Sequence, residues 1–269
     1  MDEWRLIESP RLDGARNMAR DEAILMASES GSNAPVLRLY GWSVPTISIG
    51  CLQDASTLEG RGLPLVRRIT GGRAVLHDRE LTYSVIAPNS LGVFSGGILE
   101  TYSAISLCII NALRDIGVEA SLERAGPRPG KRPGGAAKEA CFHTPSRYEV
   151  LASGKKLVGS AQRRFKRIFL QHGSILFAMD EGLNARIFGE DIVKRMTTIG
   201  NLSRISEDDF RPVLIKRLSE GLNASFVPSP LTEDEESIEQ DLLQSKYLSR
   251  AWNLRSGKPS GVGEGLAAG

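Results

Sequence analysis

The chain has 269 residues, of which 41% are hydrophobic and 25% are charged, and its formal net charge is +2. This composition is typical of a globular protein that buries a substantial core, in one domain with short additions. The small net charge argues against nucleic-acid binding. The start of the chain has no basic segment followed by an apolar run, and no stretch approaches the roughly 18 apolar residues that span a bilayer. We therefore expect a cytoplasmic protein that does not contact membranes.

The cysteines and histidines argue against disulfides and metal sites. Three cysteines are an odd number in a chain without an export signal, so each is expected to be a free thiol. They are Cys51, Cys108 and Cys141. The three histidines have no metal-ligand spacing with one another or with cysteine. We therefore expect no metal site.

Hydrophobic periodicity predicts the elements of the first half of the chain. Residues 13–29 repeat apolar residues at helical spacing. The stretches 36–40 and 46–50 alternate apolar and polar residues around a Gly-Trp-Ser-Val-Pro connection, which favours paired strands that are buried on one side. Further strands are predicted at 65–69, 74–76 and 81–87.

The second half begins with a helix predicted over 100–116, where Gly117 supplies the stop signal. Cys108 falls on the apolar spacing of this helix and is therefore expected in the core. A Gly- and Pro-rich loop over 125–138 leads to Cys141. Strands are predicted at 147–152, 156–163 and 167–178, and helices at 208–221 and 232–250, where Thr232 and Glu235 have the spacing of a capping box. A disordered tail is predicted at 256–269. Strands before residue 178 and helices after it favour an α+β fold, with helices against one face of a mixed or mostly antiparallel sheet.

A glycine pair, Gly71-Gly72, lies between strand-like runs in the segment 67–78. Glycines let backbone amides approach a ligand closely, and the arginines around them can neutralise an anion. A simple glycine hairpin with solvated arginines explains the local pattern as well. The segment is not a phosphate loop of the usual kind, because neither glycine spacing of such loops occurs before a helix.

Two candidate catalytic side chains lie further along the chain. Cys141 stands between the Gly/Pro-rich loop and a strand, so its thiol is expected to be accessible, and nearby cations such as Lys156 favour the thiolate. Gly159 and Ser160 follow Lys156 and are small enough for a backbone or an acyl chain to pass closely. An inert loop cysteine and a surface lysine are the alternative interpretation.

The segment 155–167 carries six cationic residues and no acidic one. Such a segment forms a local basic patch on which an acidic partner would dock. A solvated face without a partner explains the charges equally well.

Five motifs occur in order along the chain. They are RRxxGGRAVxHD from Arg67, LTYS from Leu81, CFxxPSxYE from Cys141, GxKxxGSAQ from Gly154 and QHGS from Gln171. Together they resemble the lipoate/biotin protein ligase superfamily, and within it most closely its octanoyltransferases, over roughly residues 10–225. The ordered set is far more specific than any single motif.

The resemblance implies a class II synthetase-like α+β fold. It also implies transfer of octanoate from acyl carrier protein to a lysine of a lipoyl-accepting protein, the glycine cleavage H protein, for lipoate synthesis and without a cofactor. By position, Cys141 matches the family's acyl-thioester nucleophile, and Lys156 matches a lysine expected to lower the pKa of that thiol. The segment that lines the acyl pocket in the family contains Arg68, Gly71, Gly72 and His77.

The expected organisation is a catalytic domain over 1–225, a helical extension over 226–255 and a disordered tail over 256–269. The sequence departs from the family's pattern at two places, and both affect the expected partner contacts more than the expected chemistry. His143 stands where relatives commonly carry an acidic residue, and the loop 126–135 is unusually rich in Pro and Arg.

Three other functions stay open at this level. An ATP-dependent lipoate ligase on the same fold needs no cysteine. An octanoyl amidotransferase takes its acyl group from the H protein instead of acyl carrier protein. A non-catalytic acyl-binding module keeps the glycine-rich pocket but needs neither Cys141 nor Lys156.

Overall fold

The computed structural model describes residues 1–31, 34–123 and 149–255. The strands in these ranges are β1 (Asp2–Glu8), β2 (Val36–Tyr40), β3 (Thr46–Ile49), β4 (Leu65–Arg67), β5 (Val75–His77), β6 (Glu80–Pro88), β7 (Ala120–Leu122), β8 (Val150–Ala152), β9 (Lys155–Arg164), β10 (Ile168–Leu176) and β11 (Ala224–Pro228). The α-helices are α1 (Gly14–Ser30), α2 (Ile98–Asp115), α3 (Glu181–Phe188), α4 (Glu190–Val193), α5 (Glu207–Leu222), α6 (Glu233–Leu242) and α7 (Arg250–Asn253). No helix in these ranges has both the length and the apolar composition to cross a bilayer.

The large sheet of the described ranges has the strand order β11-β1-β2-β6-β10-β9-β8-β7. Strand β1 runs parallel to both β2 and β11, and the other pairs are antiparallel. The central strands β6 and β10 are buried almost throughout, as expected of strands that are covered on both faces. The predicted α+β fold with a mixed, mostly antiparallel sheet is confirmed.

Helices cover both faces of this sheet. Ile86 of β6 lies in one apolar cluster with Ile24 and Leu25 of α1, whereas its neighbour Val85 lies in the main core with residues of α2 and α5. Successive strand residues point to opposite faces, so α1 and α2 pack on opposite sides. The expectation of helices on one face is wrong, because strands that are buried along almost their whole length are covered on both sides.

The strands β2 and β3 belong to different sheets, so the prediction that they pair is wrong. β2 pairs with β6, while β3 pairs with β4 and β5 in a small separate sheet. The connection turns away at Trp42, which forms an isolated bridge with Leu12. Both strands are fully buried. Alternation identified the strands, but the residues with which they pair lie 18 or more positions away and are chosen by packing.

Periodicity also misses the short strands β1, β7 and β11 and the helix α3. The burial of β1 and β11 follows no strict alternation, because only part of each strand faces the core. These two strands pair from Asp2↔Ala224 to Leu6↔Pro228 and so join the two ends of the described chain. The boundary predicted between residues 225 and 226 falls inside β11, and the domain division stays a prediction.

The helix predicted over 232–250 is interrupted. It consists of α6, a π-helical segment at Leu243–Tyr247, and α7. The buried side chains of Leu243 and Tyr247 pack with Met18 of α1. The capping box predicted at Thr232 is present, since its side chain and that of Glu235 each accept the other residue's backbone amide.

Glu235 also ties α6 to the large sheet. Its fully buried carboxylate accepts hydrogen bonds from Arg5 at 2.6 Å and 2.8 Å, besides the Thr232 amide at 2.8 Å. We expect Glu235→Ala to lower the free energy of unfolding by about 2–4 kcal/mol, because it removes a cap and breaks a largely buried ion pair. Urea unfolding measures the change. The control is Glu236→Ala at an exposed neighbour, for which we expect about 0.5 kcal/mol or less; equal losses would contradict this assignment.

Candidate functional site

A cavity lies between the small sheet, helix α1 and strands β6, β9 and β10. The cavity is small, since only about 30 Å³ of it can hold the centre of a water-sized sphere. Its lining includes the apolar side chains of Met18, Trp42, Val75 and Ala161 and the polar ones of Tyr40, Ser48, Thr82, His172 and Ser174. The predicted substrate-binding residues in the lining are Arg68, His77, Gly159 and Ser160.

The side chain of Arg68 hydrogen-bonds to the backbone of the turn at Gly71-Gly72. Its Nη2 donates to the carbonyls of Gly71 at 2.7 Å and Arg73 at 2.8 Å, and its Nη1 donates to Ser48 Oγ at 3.0 Å. Gly72 has φ +85°, and a Cβ there would lie 2.9 Å from Arg68 Nη2, so this position requires glycine. A Cβ on Gly71 would meet nothing within 4 Å. The turn is therefore built on an arginine that bonds its carbonyls.

His77 is oriented by a buried carboxylate. Its Nδ1 lies 2.7 Å from Glu80 Oε1, and its Nε2 lies 2.7 Å from Ser48 Oγ. Burial acts to raise the pKa of Glu80, but His77 and hydrogen bonds from Ser174 and Thr82 outweigh it and hold that pKa below its ordinary value. The ionised Glu80 can only accept, so Nδ1 of His77 carries the proton that it shares with Glu80.

Trp42 completes the wall beside this histidine. Its ring stacks on His77 with 3.8 Å between the ring centroids and an interplanar angle of 9°. Its Nε1 donates to Thr82 Oγ1 at 2.9 Å. The stacked ring covers one face of the imidazole and presents an apolar surface to the cavity.

A second buried carboxylate orients His172. His172 Nδ1 lies 3.1 Å from Asp21 Oδ2, and Nε2 lies 2.7 Å from Thr70 Oγ1. Burial acts to raise the pKa of Asp21, but Arg38 and the hydrogen bonds lower it to about 2. Burial lowers the pKa of His172, so the ring is neutral at pH 7. Its Nδ1–H then donates to Asp21, and Nε2 accepts the hydroxyl proton of Thr70, the residue before Gly71.

Sequence reasoning did not single out Asp21 or Arg38. Arg38 lies in the fully buried strand β2 and donates to Asp21 Oδ1 at 2.6 Å. The available signal was a charged residue on the apolar face of a helix, three positions after Met18 and four before Leu25. A charge at such a position is buried only when it is paired, and it therefore marks a polar network.

Lys156 lies at the start of β9, three residues before Gly159, and is not among the residues that line the cavity. Its buried ammonium donates to Glu149. Its backbone is held on both sides, with its amide bonded to Arg195 O at 2.8 Å and its carbonyl to Thr197 N at 3.0 Å. The structure therefore fixes the backbone from which this side chain extends.

The predicted nucleophile Cys141 and its neighbour His143 lie outside the described residues. The two described cysteines, Cys51 and Cys108, are buried free thiols. Burial raises the pKa of Cys108 to about 12, so it stays protonated and unreactive at neutral pH. The prediction that Cys108 belongs to the core is confirmed.

On β9, Ser160 lines the cavity and also contacts Tyr83 of the main core. Its Oγ lies 2.8 Å from the hydroxyl of Tyr83, which also accepts from Gln171 Nε2 at 3.1 Å. A Cβ on the facing Gly173 would lie 2.5 Å from Ser160 Oγ. β9 and β10 are therefore packed together closely at the cavity.

The six cations of segment 155–167 do not form one patch. Lys155 and Arg164 stand at opposite ends of β9, which is about 30 Å at roughly 3.3 Å per residue. Lys156 is buried, and Arg164 donates to the carbonyls of Phe94 at 2.7 Å and Gly96 at 2.6 Å. Extended backbone geometry therefore separates charges that are close in sequence.

A family model of the lipoyl protein ligase A/B catalytic domain matches residues 13–219, and the chain belongs to this family. It is 41% identical to octanoyltransferase LipM of Kyrpidia tusciae over 95% of this chain and 100% of that protein. It is 37% identical to octanoyltransferase LipM of Brevibacillus brevis, with the same coverage of both chains. The resemblance found in the sequence motifs is confirmed, and the chain is an acyltransferase.

Solved structures agree with this membership. The chain superposes on a bi-partite lipoate protein ligase from Thermoplasma acidophilum with a TM-score of 0.76 and 26% identity, over 97% of this chain and 100% of that one. A lipoate-protein ligase A bound with ATP gives a TM-score of 0.75 and 26% identity, over 94% and 98% of the two chains. The lipoate ligase fold therefore extends over nearly the whole chain.

His172 makes the stability of the site depend on pH. Its pKa is lower in the folded protein than the 6.5 of a free histidine, so the unfolded chain binds more protons below pH 6.5 and stability falls as the pH falls from there. We expect urea unfolding between pH 7 and 5 to show this slope, at most about 1.4 kcal/mol per pH unit, and to show a smaller slope in His172→Gln. Asp21 contributes at lower pH, between its ordinary value of 3.8 and about 2. Equal slopes for the two proteins would refute the neutral buried His172.

Proposed function

We propose that this acyltransferase moves an octanoyl group from acyl carrier protein to a lysine of a lipoyl-accepting protein, such as the glycine cleavage H protein, in lipoate biosynthesis. The observation that carries the proposal is the similarity to octanoyltransferases of 41% identity over 95% of the chain. A transfer enzyme of this kind needs an acyl site, a carrier nucleophile and access for two proteins.

The chemistry of the cavity's lining, rather than its small volume, supports the acyl site. Its apolar lining from Met18, Trp42 and Val75 suits a hydrocarbon chain, which gains from leaving water. Gly71 and Gly72 are not among the lining residues, but their turn is hydrogen-bonded to Arg68, which is. The backbone groups of this turn are proposed to bind the polar end of an acyl ligand. We propose that the substrate-binding residues are Arg68, Gly71, Gly72, His77, Gly159 and Ser160.

We assign the acyl-carrying nucleophile to Cys141. Its thiolate attacks the thioester carbonyl of the donor and expels the carrier thiolate, which forms a new thioester on the enzyme. The acceptor amine then attacks this thioester, loses a proton and releases the Cys141 thiolate, and an amide remains. The incoming acyl group is already activated, so no ATP is consumed.

Lys156 is proposed to favour the thiolate and to polarise the thioester carbonyl. Its side chain provides a buried cation whose backbone is fixed by two hydrogen bonds. The contact with Glu149 stabilises the charged form of Lys156 in this buried position, where an isolated ammonium would be costly.

ATP separates this proposal from the lipoate ligase alternative, to which the similarity with the ATP-bound lipoate-protein ligase A gives some weight. The octanoyl amidotransferase differs in its donor, the acylated H protein. An acyl-binding module would hold the chain without any covalent adduct. One incubation experiment with two donors distinguishes all of them.

We expect the purified protein to gain the mass of one octanoyl group on Cys141 when it is mixed with octanoyl-acyl carrier protein in the absence of ATP. Cys141→Ser should abolish a hydroxylamine-labile adduct, while Cys108→Ser, at the buried thiol, should keep it. Peptide mass spectrometry locates the adduct. An adduct that needs ATP, one that forms only from the acylated H protein, or no adduct at all would reject the proposal.

The role of Lys156 is tested in a double variant in which the carboxylate of its partner Glu149 is also replaced by a neutral amide. We expect Lys156→Met with Glu149→Gln to form the Cys141 adduct about 100-fold more slowly, because the cation that favours the thiolate is gone. The single variant Glu149→Gln is the control, and it should keep most of the rate because the lysine remains. Single-turnover kinetics over a range of pH gives the rates and the thiol pKa. Equal rates for the two variants would show that Lys156 has no part in the reaction.

A further inference from the structure

Arg67, at the end of β4, is fully buried beside Arg68 of the cavity. Its guanidinium donates to backbone carbonyls of two segments that are about 200 residues apart in sequence. The acceptors are Gly50 at 3.0 Å, Cys51 at 3.4 Å, Gln53 at 2.6 Å, Trp252 at 3.0 Å, Asn253 at 3.1 Å and Arg255 at 2.9 Å. Burial lowers the pKa of Arg67 to about 10, which keeps it cationic at neutral pH. One buried cation therefore binds both segments.

The main chain of Arg67 is held by the same C-terminal segment. Its amide donates to Asn253 Oδ1 at 2.8 Å, and its carbonyl accepts from Trp252 Nε1 at 2.8 Å. The Trp252 ring is covered by two cations, since Arg255 Cζ lies 3.9 Å and Lys246 Nζ 4.1 Å from its centroid. The C-terminal segment is thus docked on β4 by both backbone and side chains.

The segment 50–53, which Arg67 binds, also contacts the glycine turn. The Cys51 amide donates to Thr70 O at 2.9 Å. A Cβ on Gly50 would lie 2.0 Å from the carbonyl oxygen of Gly72, so the two backbones are in direct contact. A continuous set of contacts therefore runs from Trp252 through Arg67 to the turn.

We propose that the C-terminal segment Trp252–Arg255 positions the glycine turn of the cavity, with Arg67 as the positioning residue. The segment lies beyond residue 219, where the match to the family's catalytic domain ends. The inference rests on the proposed function only for the identity of the bound acyl group. When the segment undocks, Arg67 loses three of its acceptors, and the guanidinium that also binds 50–53 is held less firmly beside the turn.

Arg5 provides a matched comparison, because it also fastens the C-terminal extension to the sheet. It donates to Glu235 and, at 2.7 Å, to the carbonyl of Pro230, and it makes no contact with 50–53. Replacing either arginine by lysine keeps the charge, but three ammonium donors cannot reproduce the planar fork of a guanidinium. Both variants lose stability, and only Arg67→Lys loosens the turn.

The first test is hydrogen exchange on the full chain, for Arg67→Lys, Asn253→Ala and Arg5→Lys. We expect exchange in peptides that cover 49–54 and 68–76 to be about tenfold faster in the first two variants, because local opening becomes easier. In Arg5→Lys these peptides should match the wild type. Unchanged exchange in Arg67→Lys, or equal acceleration in Arg5→Lys, would overturn the proposal.

The second test separates positioning from folding. At a temperature where all the variants are fully folded, we expect Arg67→Lys to raise the KM for octanoyl-acyl carrier protein about tenfold with a smaller change in kcat, because a smaller fraction of molecules has a competent site. Arg5→Lys should leave the KM unchanged. A KM in Arg67→Lys equal to that of the wild type would overturn the proposal. If the wild type forms no octanoyl adduct, the proposed function fails, and hydrogen exchange still decides the positioning role.

Discussion

The buried carboxylate of Asp21 is the interaction on which the rest of the site depends. It accepts hydrogen bonds from Arg38, Tyr40 and Ser84, and from Nδ1 of His172. These partners come from β2, β6 and β10, while Asp21 itself comes from α1. A buried charge is costly without hydrogen-bond partners, and the partners of Asp21 come from three strands, so one charge fixes a helix against three central strands.

The cavity is built around two carboxylate–histidine pairs, which act on different parts of the small sheet. Asp21 and His172 reach Thr70 beside the glycine turn, whereas Glu80 and His77 reach Ser48 on β3. In each pair, the ionised carboxylate determines which ring nitrogen carries the proton. The small sheet is therefore joined to the large one by hydroxyl groups held in a defined direction, and the cavity between them keeps its shape.

Much of the fold was predictable because its central elements are long and regular. The helix at 13–29, the strand at 81–87 and the strand at 167–178 follow from periodicity, and the structure has each of their ends within two residues. The pairing partners of β2 and of β3 were not predictable, since the sequence of a strand indicates which of its faces is apolar and not which strand lies beside it. The edge strand β11 and its neighbour β1 carry too few buried positions to show a period.

The candidate site, like the fold, was predictable only in part. The sequence by itself determined what is local: the Gly71-Gly72 turn, the small Gly159-Ser160 step, the capping box and the family that these ordered motifs resemble. Only the tertiary structure decided that His172 and Asp21 meet beside the turn, that Arg68 is directed to the turn's carbonyls, and that Arg67 is held by residues near 253. Such contacts join residues up to 188 positions apart. The physical reason is that a buried polar group must find its partner in space, and packing of the whole chain, not the local pattern, brings that partner to it.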